Sequence, residues 1–250
     1  MPLEAYVECV EPETEDAPIW RFMCYDRFCT MMETQRLYFC RSDLFAADDQ
    51  EGLPPMDYIR EVCVAMGPGH DADYSLQTLK EDRKGFFVLC WNLFQMETAE
   101  LWETYAPTGV AICSRYSSLK SLLGSSADRT YLGRVWYSKR PRRYNMLHFI
   151  TTKRHEYAND QEVRAFVWRP AMSDRNPYPH DTPKGVEHVF DVPGLIEHIV
   201  ISPKAPPNRL QEVEALVKRL GYSIPIGESE LTPYAPLLPD LPTIKRVSNR

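Results

Sequence analysis

One stretch of the chain concentrates residue types that build binding sites. Between Cys90 and Ser114 the sequence reads CWNLFQMETAELWETYAPTGVAICS, which predicts a buried strand, a short helix, a tight turn and a second strand. Large aromatic side chains with a few placed polar groups are typical of ligand pockets. The stretch therefore predicts a pocket wall, with Tyr105 as a catalytic candidate. The ligand-binding candidates in it are Trp91, Glu97, Trp102 and Gly109.

A second group of charged residues lies on the predicted strand Gln161–Trp168, QEVRAFVW. Side chains alternate between the two faces of a strand, which gives this segment an apolar face that includes Val163. The opposite face carries an acid, a base and two aromatic residues, which is typical of a cleft wall. On that face Glu162 is a catalytic candidate and Arg164 a ligand-binding candidate.

Two further cations complete the set of candidates. Arg21 lies among apolar neighbours in the predicted strand Ile19–Met23, where an arginine is expected to contact a carboxylate or a phosphate, and it is a catalytic candidate. Lys153 is a ligand-binding candidate on the predicted helix Met146–Ala158, for which Asn145 is the predicted N-cap.

The composition restricts which partners the protein is expected to bind and where it is expected to be located. The chain has 250 residues and a net charge of −6, which argues against non-specific nucleic-acid binding. No apolar run reaches the roughly 18 residues that a membrane span requires. Seven cysteines without metal-ligand spacing indicate reduced thiols, and the acidic N-terminus is unlike a signal peptide. These features predict a cytoplasmic protein. The candidate site residues predict a small-molecule or nucleotide ligand, with a protein partner as a further option.

The order of the elements predicts the fold class. Strands and helices are interspersed irregularly, which favours an α+β fold with mixed or mostly antiparallel β-sheets packed with several short helices. We predict a flexible acidic lead-in at 1–18, a single domain at 19–231 and a proline-rich extended tail at 232–250. Residues 55–85 are predicted to form a helical insertion.

A set of phrases occurs in a fixed order: WRFM…LYF.RSDLF…EG, CW…E…LW..Y….GVAI.S, G.V.Y, K…Y….E.R and LI..I.ISP.A. Together they resemble the uncharacterised bacterial family catalogued as domain of unknown function 2971, from about Trp20 to Leu231. The chain departs from the family pattern at Asp160, where a glutamate is expected. The resemblance implies a signature carried by Arg21, Phe39, Phe45, Glu51, Gly52, Trp91, Glu97, Trp102, Tyr105, Gly109, Lys153, Glu162 and Arg164.

The first functional hypothesis is a nucleotide-handling enzyme that resembles ADP-ribosyltransferases, with NAD as the substrate and no certain cofactor. Such enzymes place a basic residue on an early strand, aromatic residues around the nicotinamide and a late glutamate, which stabilises an oxocarbenium-like transition state. Arg21, Tyr105 and Glu162 occur in that order. Asp160 and Glu162 loosely resemble the acidic-x-Glu signature of that superfamily.

Two alternatives stay open. A metal-dependent phosphodiesterase or nuclease would hold Mg²⁺ and a phosphate with carboxylates and Lys153. Its candidate acids are Asp48, Asp49, Glu51, Glu97 and Glu162. The histidine spacing contains no zinc motif, and no residue is assigned to a metal. The other alternative is a non-catalytic ligand- or protein-binding module, for instance defence-associated, in which Arg21, Lys153, Glu162 and Arg164 form a buried ion network.

Overall fold

The apolar run Phe86–Leu93 forms strand β3, which lies in the middle of the sheet in the computed structural model. The structure describes Leu3 and residues 9–45, 50–125, 128–169 and 183–231. Consecutive side chains of β3 are buried, from Phe86 to Leu89, as is typical of a strand covered on both faces. This confirms the buried strand that the sequence predicts before the short helix.

The remaining strands are β1 (Pro18–Met23), β2 (Arg36–Arg41), β4 (Val110–Arg115), β5 (Thr130–Arg134), β6 (Trp136–Tyr137), β7 (Thr152–Lys153), β8 (Glu162–Trp168), β9 (Gly185–Val189), β10 (His198–Ile201) and β11 (Ile226–Glu228). The α-helices are α1 (Tyr25–Thr34), α2 (Met56–Met66), α3 (Ala72–Asp82), α4 (Ala99–Tyr105), α5 (Tyr116–Gly124), α6 (Met146–Thr151), α7 (Val192–Leu195) and α8 (Arg209–Arg219). Short 3-10 helices form at Ser42–Leu44, Arg83–Gly85 and His155–Asp160.

The main sheet follows the order β11-β10-β4-β1-β3-β2-β9, and β8 and β5 extend it from the other edge of β3. The pairing of β10 with β11 is parallel, whereas the other pairings in this sheet are antiparallel. Strands β6 and β7 form a separate two-stranded parallel sheet. The architecture is a single α+β domain with a mixed, mostly antiparallel sheet, which confirms the predicted class.

Two strands, β1 and β2, pair with different parts of the same edge of β3. We call the gap between them the fork. Strand β1 pairs with the end of β3, where Trp20 lies opposite Asn92. Strand β2 pairs with its beginning, where Cys40 lies opposite Val88. On this edge residues 89–91 have no strand partner within the described residues. The other edge of β3 pairs with β8 along almost the whole strand.

The two faces of β8 pack in different clusters, as the alternation of its side chains predicts. The main core contains Val163, together with Ala165 and Val167. The opposite face carries Phe166, which packs in a second cluster with Tyr131. The predicted core face of β8 is therefore confirmed, whereas the aromatic residues of the opposite face, predicted as a cleft wall, pack in this second cluster.

The predicted helix Met146–Ala158 is wrong in length. Asn145 does cap it, because its side chain accepts from the His148 N–H at 2.9 Å, but α6 ends at Thr151. The Thr151 hydroxyl donates to the Leu147 carbonyl at 2.8 Å, and two consecutive β-branched threonines disfavour the helix. The chain then becomes extended and places Lys153 on β7.

Residues 55–85 form α2 and α3, which pack on each other and on Phe149. Arg140, in the basic run 139–143, binds α2 through Asp57 and Glu61, each at 2.7 Å. The basic run therefore contacts this helical segment. No helix within the described ranges has both the length and the apolar character needed to cross a membrane.

Part of the N-terminal segment is described by the structure and contacts the rest of the domain. In the predicted lead-in, the Arg134 N–H donates to the Val10 carbonyl at 2.8 Å, and Glu11 and Glu15 each contact Lys120 at 2.9 Å. The predicted tail at 232–250 lies outside the described residues. All seven cysteines are free, but only Cys63 and Cys113 are buried.

Candidate functional site

A cleft of about 710 Å³ opens at the fork between β1 and β2. Its volume is within the roughly 300–1,000 Å³ typical of small-molecule sites. The three predicted catalytic residues, Arg21, Tyr105 and Glu162, all line it, as does Lys153. They come from different elements that the fork brings to one cavity.

Glu162 is the centre of a buried group of charges. Its Oε1 lies 2.5 Å from the Lys153 Nζ, and its Oε2 lies 2.8 Å from Nε and 2.7 Å from Nη2 of Arg164. The side chain of Glu162 is 5% exposed and that of Arg164 1%. Burial alone would raise the pKa of Glu162, but Arg164 and Lys153 outweigh it and lower the pKa below its ordinary value. Glu162 is therefore a carboxylate at neutral pH.

The charges extend outwards from Glu162 in alternating sign. On one side, Lys153 Nζ also contacts Asp160 Oδ2 at 2.7 Å. On the other side, Arg164 pairs with Glu51 and donates from Nη1 to the Ile150 carbonyl at 2.7 Å. Each cation thus lies between two carboxylates, which compensates the cost of burying it. We call Asp160, Lys153, Glu162, Arg164 and Glu51 the ion chain.

Arg21 lies outside the ion chain. It is half-buried, and within the described residues its guanidinium has no hydrogen-bond or ion-pair partner. Burial, with a smaller contribution from the nearby Arg27, lowers the pKa of Arg21 to about 10. Arg21 is still protonated at neutral pH. An unpaired, partly desolvated guanidinium in a cleft is a natural partner for a carboxylate or a phosphate.

Tyr105 is tied to the ion chain by its hydroxyl group, which donates to Asp160 Oδ2 at 3.0 Å. Burial raises the pKa of Tyr105, so the phenol is neutral. Cys90 also lines the cleft, and burial raises the pKa of its thiol. Neither group is available as an anionic nucleophile at neutral pH.

The other aromatic candidates of the pocket-wall stretch lie elsewhere. Trp91 is fully buried in the main core, because alternation along β3 turns its neighbours Cys90 and Asn92 towards the cleft instead. Trp102 packs in a different cluster against Phe22. A sequence pattern of aromatic residues does not distinguish these environments.

Gly109 has a packing role. A Cβ at this position would overlap the carbonyl oxygen of Met23. The glycine therefore permits the close approach of the turn before β4 to the end of β1.

Glu97 holds the end of the described chain in place. Its Oε2 accepts from Trp102 Nε1 at 2.5 Å and from Ser229 Oγ at 2.6 Å, and its Oε1 accepts from the Glu230 N–H at 2.8 Å. These bonds connect α4 to the segment after β11. The structure thus places Glu97 and Trp102 in a contact with the C-terminal segment.

This contact predicts a local effect of substitution. We expect Glu97→Ala to accelerate amide hydrogen exchange in β11 and in the segment that ends at Leu231, because three hydrogen bonds lose their acceptor. Glu100→Ala, at an exposed position in the first turn of α4, is the control. Equal exchange rates in the two variants would show that Glu97 does not hold this segment.

Some residues of the site carry no sequence prediction. Asn92 Nδ2 donates to the Asp160 carbonyl at 2.8 Å, and the Tyr137 hydroxyl accepts from the Glu162 N–H at 2.7 Å. Tyr38 lines the cleft on β2. The sequence contains a signal that could have identified Asn92 as a site residue, because it is a polar residue at the end of an otherwise apolar run.

The carboxylates proposed for a metal do not form one group in the described structure. Asp48 and Asp49 lie outside the described residues. Glu97 contacts the segment after β11, whereas Glu51 and Glu162 belong to the ion chain. Within the described residues no three His, Cys, Asp or Glu side chains converge on a possible metal position.

Because comparison with known proteins finds no match, a functional proposal rests on the geometry of the cleft. The chain matches no family model, no curated protein and no solved structure.

Proposed function

We propose that the protein is a nucleotide-handling enzyme that binds a phosphate-bearing ligand such as NAD⁺ in the cleft, in the manner of ADP-ribosyltransferases. The observation that carries this proposal is Arg21, a partly desolvated cation that has no partner among the described residues and lies in a cleft that also contains the ionised Glu162. The similarity to domain of unknown function 2971 and the cytoplasmic location stay predictions.

The charges around Arg21 favour an anionic ligand. Arg27, which also lines the cleft, adds a second positive charge near Arg21. The carboxylates of the ion chain are already bound by Lys153 and Arg164, so they do not compete for Arg21. A phosphate or pyrophosphate would satisfy the guanidinium, which matches such groups with two parallel hydrogen bonds.

Glu162 has one acceptor position to offer a ligand. A carboxylate has about four lone-pair positions. Arg164 uses two donors on Oε2, and Lys153 uses one on Oε1. The second position of Oε1 would accept a ribose hydroxyl, and the fixed negative charge would stabilise positive charge that develops on the neighbouring sugar carbon.

The reaction that fits this arrangement is cleavage of the N-glycosidic bond of NAD⁺. The bond between the ribose C1′ and the nicotinamide nitrogen breaks, and nicotinamide leaves with the bonding electron pair. A water molecule or an acceptor hydroxyl then bonds to C1′ and releases its proton. Glu162 would act electrostatically, while Arg21 would hold the pyrophosphate.

The decisive experiment measures binding and turnover in wild type and Arg21→Gln. Wild type is expected to be stabilised by NAD⁺, ADP-ribose and pyrophosphate and not by uncharged adenosine, and to release nicotinamide from NAD⁺. A ligand at 100 times its Kd adds about 2.7 kcal/mol of stability. Arg21→Gln is expected to lose this stabilisation, whereas Arg36→Gln, at a rim position that pairs with Glu187, keeps most of it. Equal stabilisation of wild type and Arg21→Gln contradicts the proposal.

A second candidate function is a non-catalytic nucleotide-binding module. It is favoured by the ion chain, in which both oxygens of Glu162 are already bound by buried cations. Binding of NAD⁺ that depends on Arg21, without nicotinamide release, would identify this function. The phosphodiesterase alternative stays a prediction, and added Mg²⁺ in the same assay tests it.

A further inference from the structure

Tyr38 is a large aromatic side chain that the fold leaves exposed in the cleft. It is 43% exposed and lies on β2. Its ring lies across Gly185 of β9, where an added Cβ would overlap Cζ, Cε2 and Oη of Tyr38. Gly185 therefore leaves the space that the ring occupies.

The neighbouring strand also limits where the ring can go. Tyr38 lies opposite Glu187 in the β2–β9 pairing. Glu187 contacts Arg36 at 3.2 Å, so an ion pair lies on the other side of the ring from Gly185. The Tyr38 hydroxyl makes no hydrogen bond to the described part of the chain, so packing positions the ring. An exposed aromatic ring that is fixed by packing is suited to stacking, because little conformational entropy remains to be lost.

We propose that Tyr38 is the stacking surface for the base of a nucleotide whose phosphate binds Arg21. This inference rests on the proposed function, because it takes Arg21 as the anion site. Arg21 lies on β1 and Tyr38 on β2, the two strands that diverge at the fork. A ligand that contacts both must carry an anionic group and a planar ring and must extend across the fork.

Tyr105 is the other exposed aromatic residue of the cleft, at 40%. Its hydroxyl is bound to Asp160, and it lies at the end of α4, which packs against β1. It is therefore on the side of the fork that carries Arg21. A ring that stacks on Tyr38 lies on the opposite side from the phosphate, as an extended nucleotide requires.

Calorimetric titration with AMP and with pyrophosphate tests the assignment. Tyr38→Ala is expected to weaken AMP binding by roughly tenfold to a hundredfold, the usual loss for one base–aromatic stack, and to leave pyrophosphate binding unchanged. Tyr38→Phe keeps the ring and is expected to bind AMP as wild type does.

Gly185→Ala is the sharper variant, because it displaces the ring without removing it. The overlapping atoms are the far end of a side chain that can rotate, so the variant is expected to fold. Gly185→Ala should weaken AMP binding as much as Tyr38→Ala does, and it should leave pyrophosphate binding unchanged. If Tyr38→Ala binds AMP as tightly as wild type does, Tyr38 is not the stacking surface, and the proposal that Arg21 binds an anion is unaffected. If wild type binds neither ligand, both proposals fail.

Discussion

Glu162→Gln is expected to lower the free energy of unfolding by about 3–5 kcal/mol, because it removes the carboxylate that two buried cations share and leaves Lys153 and Arg164 with one carboxylate partner each. The substitution is nearly isosteric but removes the charge between Lys153 and Arg164, whose side chains are 8% and 1% exposed. Urea denaturation at neutral pH measures the loss. Glu33→Gln, which breaks the exposed pair with Arg219, is the matched control and should cost no more than about 1 kcal/mol.

The same variant predicts a pH dependence. The folded-state pKa of Glu162 lies below its ordinary value of 4.5, so its stabilisation is present above about pH 4.5 and is lost as the pH falls through the folded-state pKa. The difference in unfolding free energy between wild type and Glu162→Gln should therefore narrow below about pH 4.5. A difference that stays constant down to about pH 3 would show that Glu162 is not held ionised by its neighbours.

Arg21→Met is expected to have the opposite sign of effect. It removes a partly desolvated cation that has no partner in the described part of the chain. The free energy of unfolding should therefore be unchanged or rise by about 0.5–2 kcal/mol, while ligand stabilisation disappears. A gain in stability with a loss of binding is the signature of a residue that serves function at a cost to the fold. Thermal unfolding with and without pyrophosphate measures both effects.

Arg164→Met is the matched control, because it applies the same substitution to an arginine near the same cleft. Arg164 is paired with Glu162 and Glu51, so its loss should destabilise the protein by about 3–5 kcal/mol. If Arg21→Met destabilises the protein as strongly as Arg164→Met does, Arg21 has a structural role, and the proposal that it binds an anionic ligand is wrong.

Local patterns predicted much of the fold. The continuous apolar run of β3 and the alternation of β8 follow from backbone geometry, which places successive side chains on opposite faces whatever the strand pairs with. Arg21 among apolar neighbours also indicated the need for an anion, because desolvation of a cation does not depend on the details of the fold. The α+β class followed from the irregular order of such elements.

The same local rules were insufficient where the outcome depended on distant partners. The sequence predicts a helix that includes Lys153, but α6 ends before this residue and β7 places it beside Glu162. Trp91 and Cys90 are adjacent, and only the pairing of β3 with its neighbours decides which of them faces the cleft.

The sequence by itself determined the strand and core patterns and the need of Arg21 for an anionic partner. Tertiary structure alone decided the site, because β1 and β2 must share one edge of β3 before a cleft exists. It also brought Glu51 to Arg164, 113 residues away, and Gly185 to Tyr38. The physical reason is that alternation and desolvation act on a residue and its immediate neighbours, whereas ion pairs and ring packing require groups that only the completed sheet brings within contact distance.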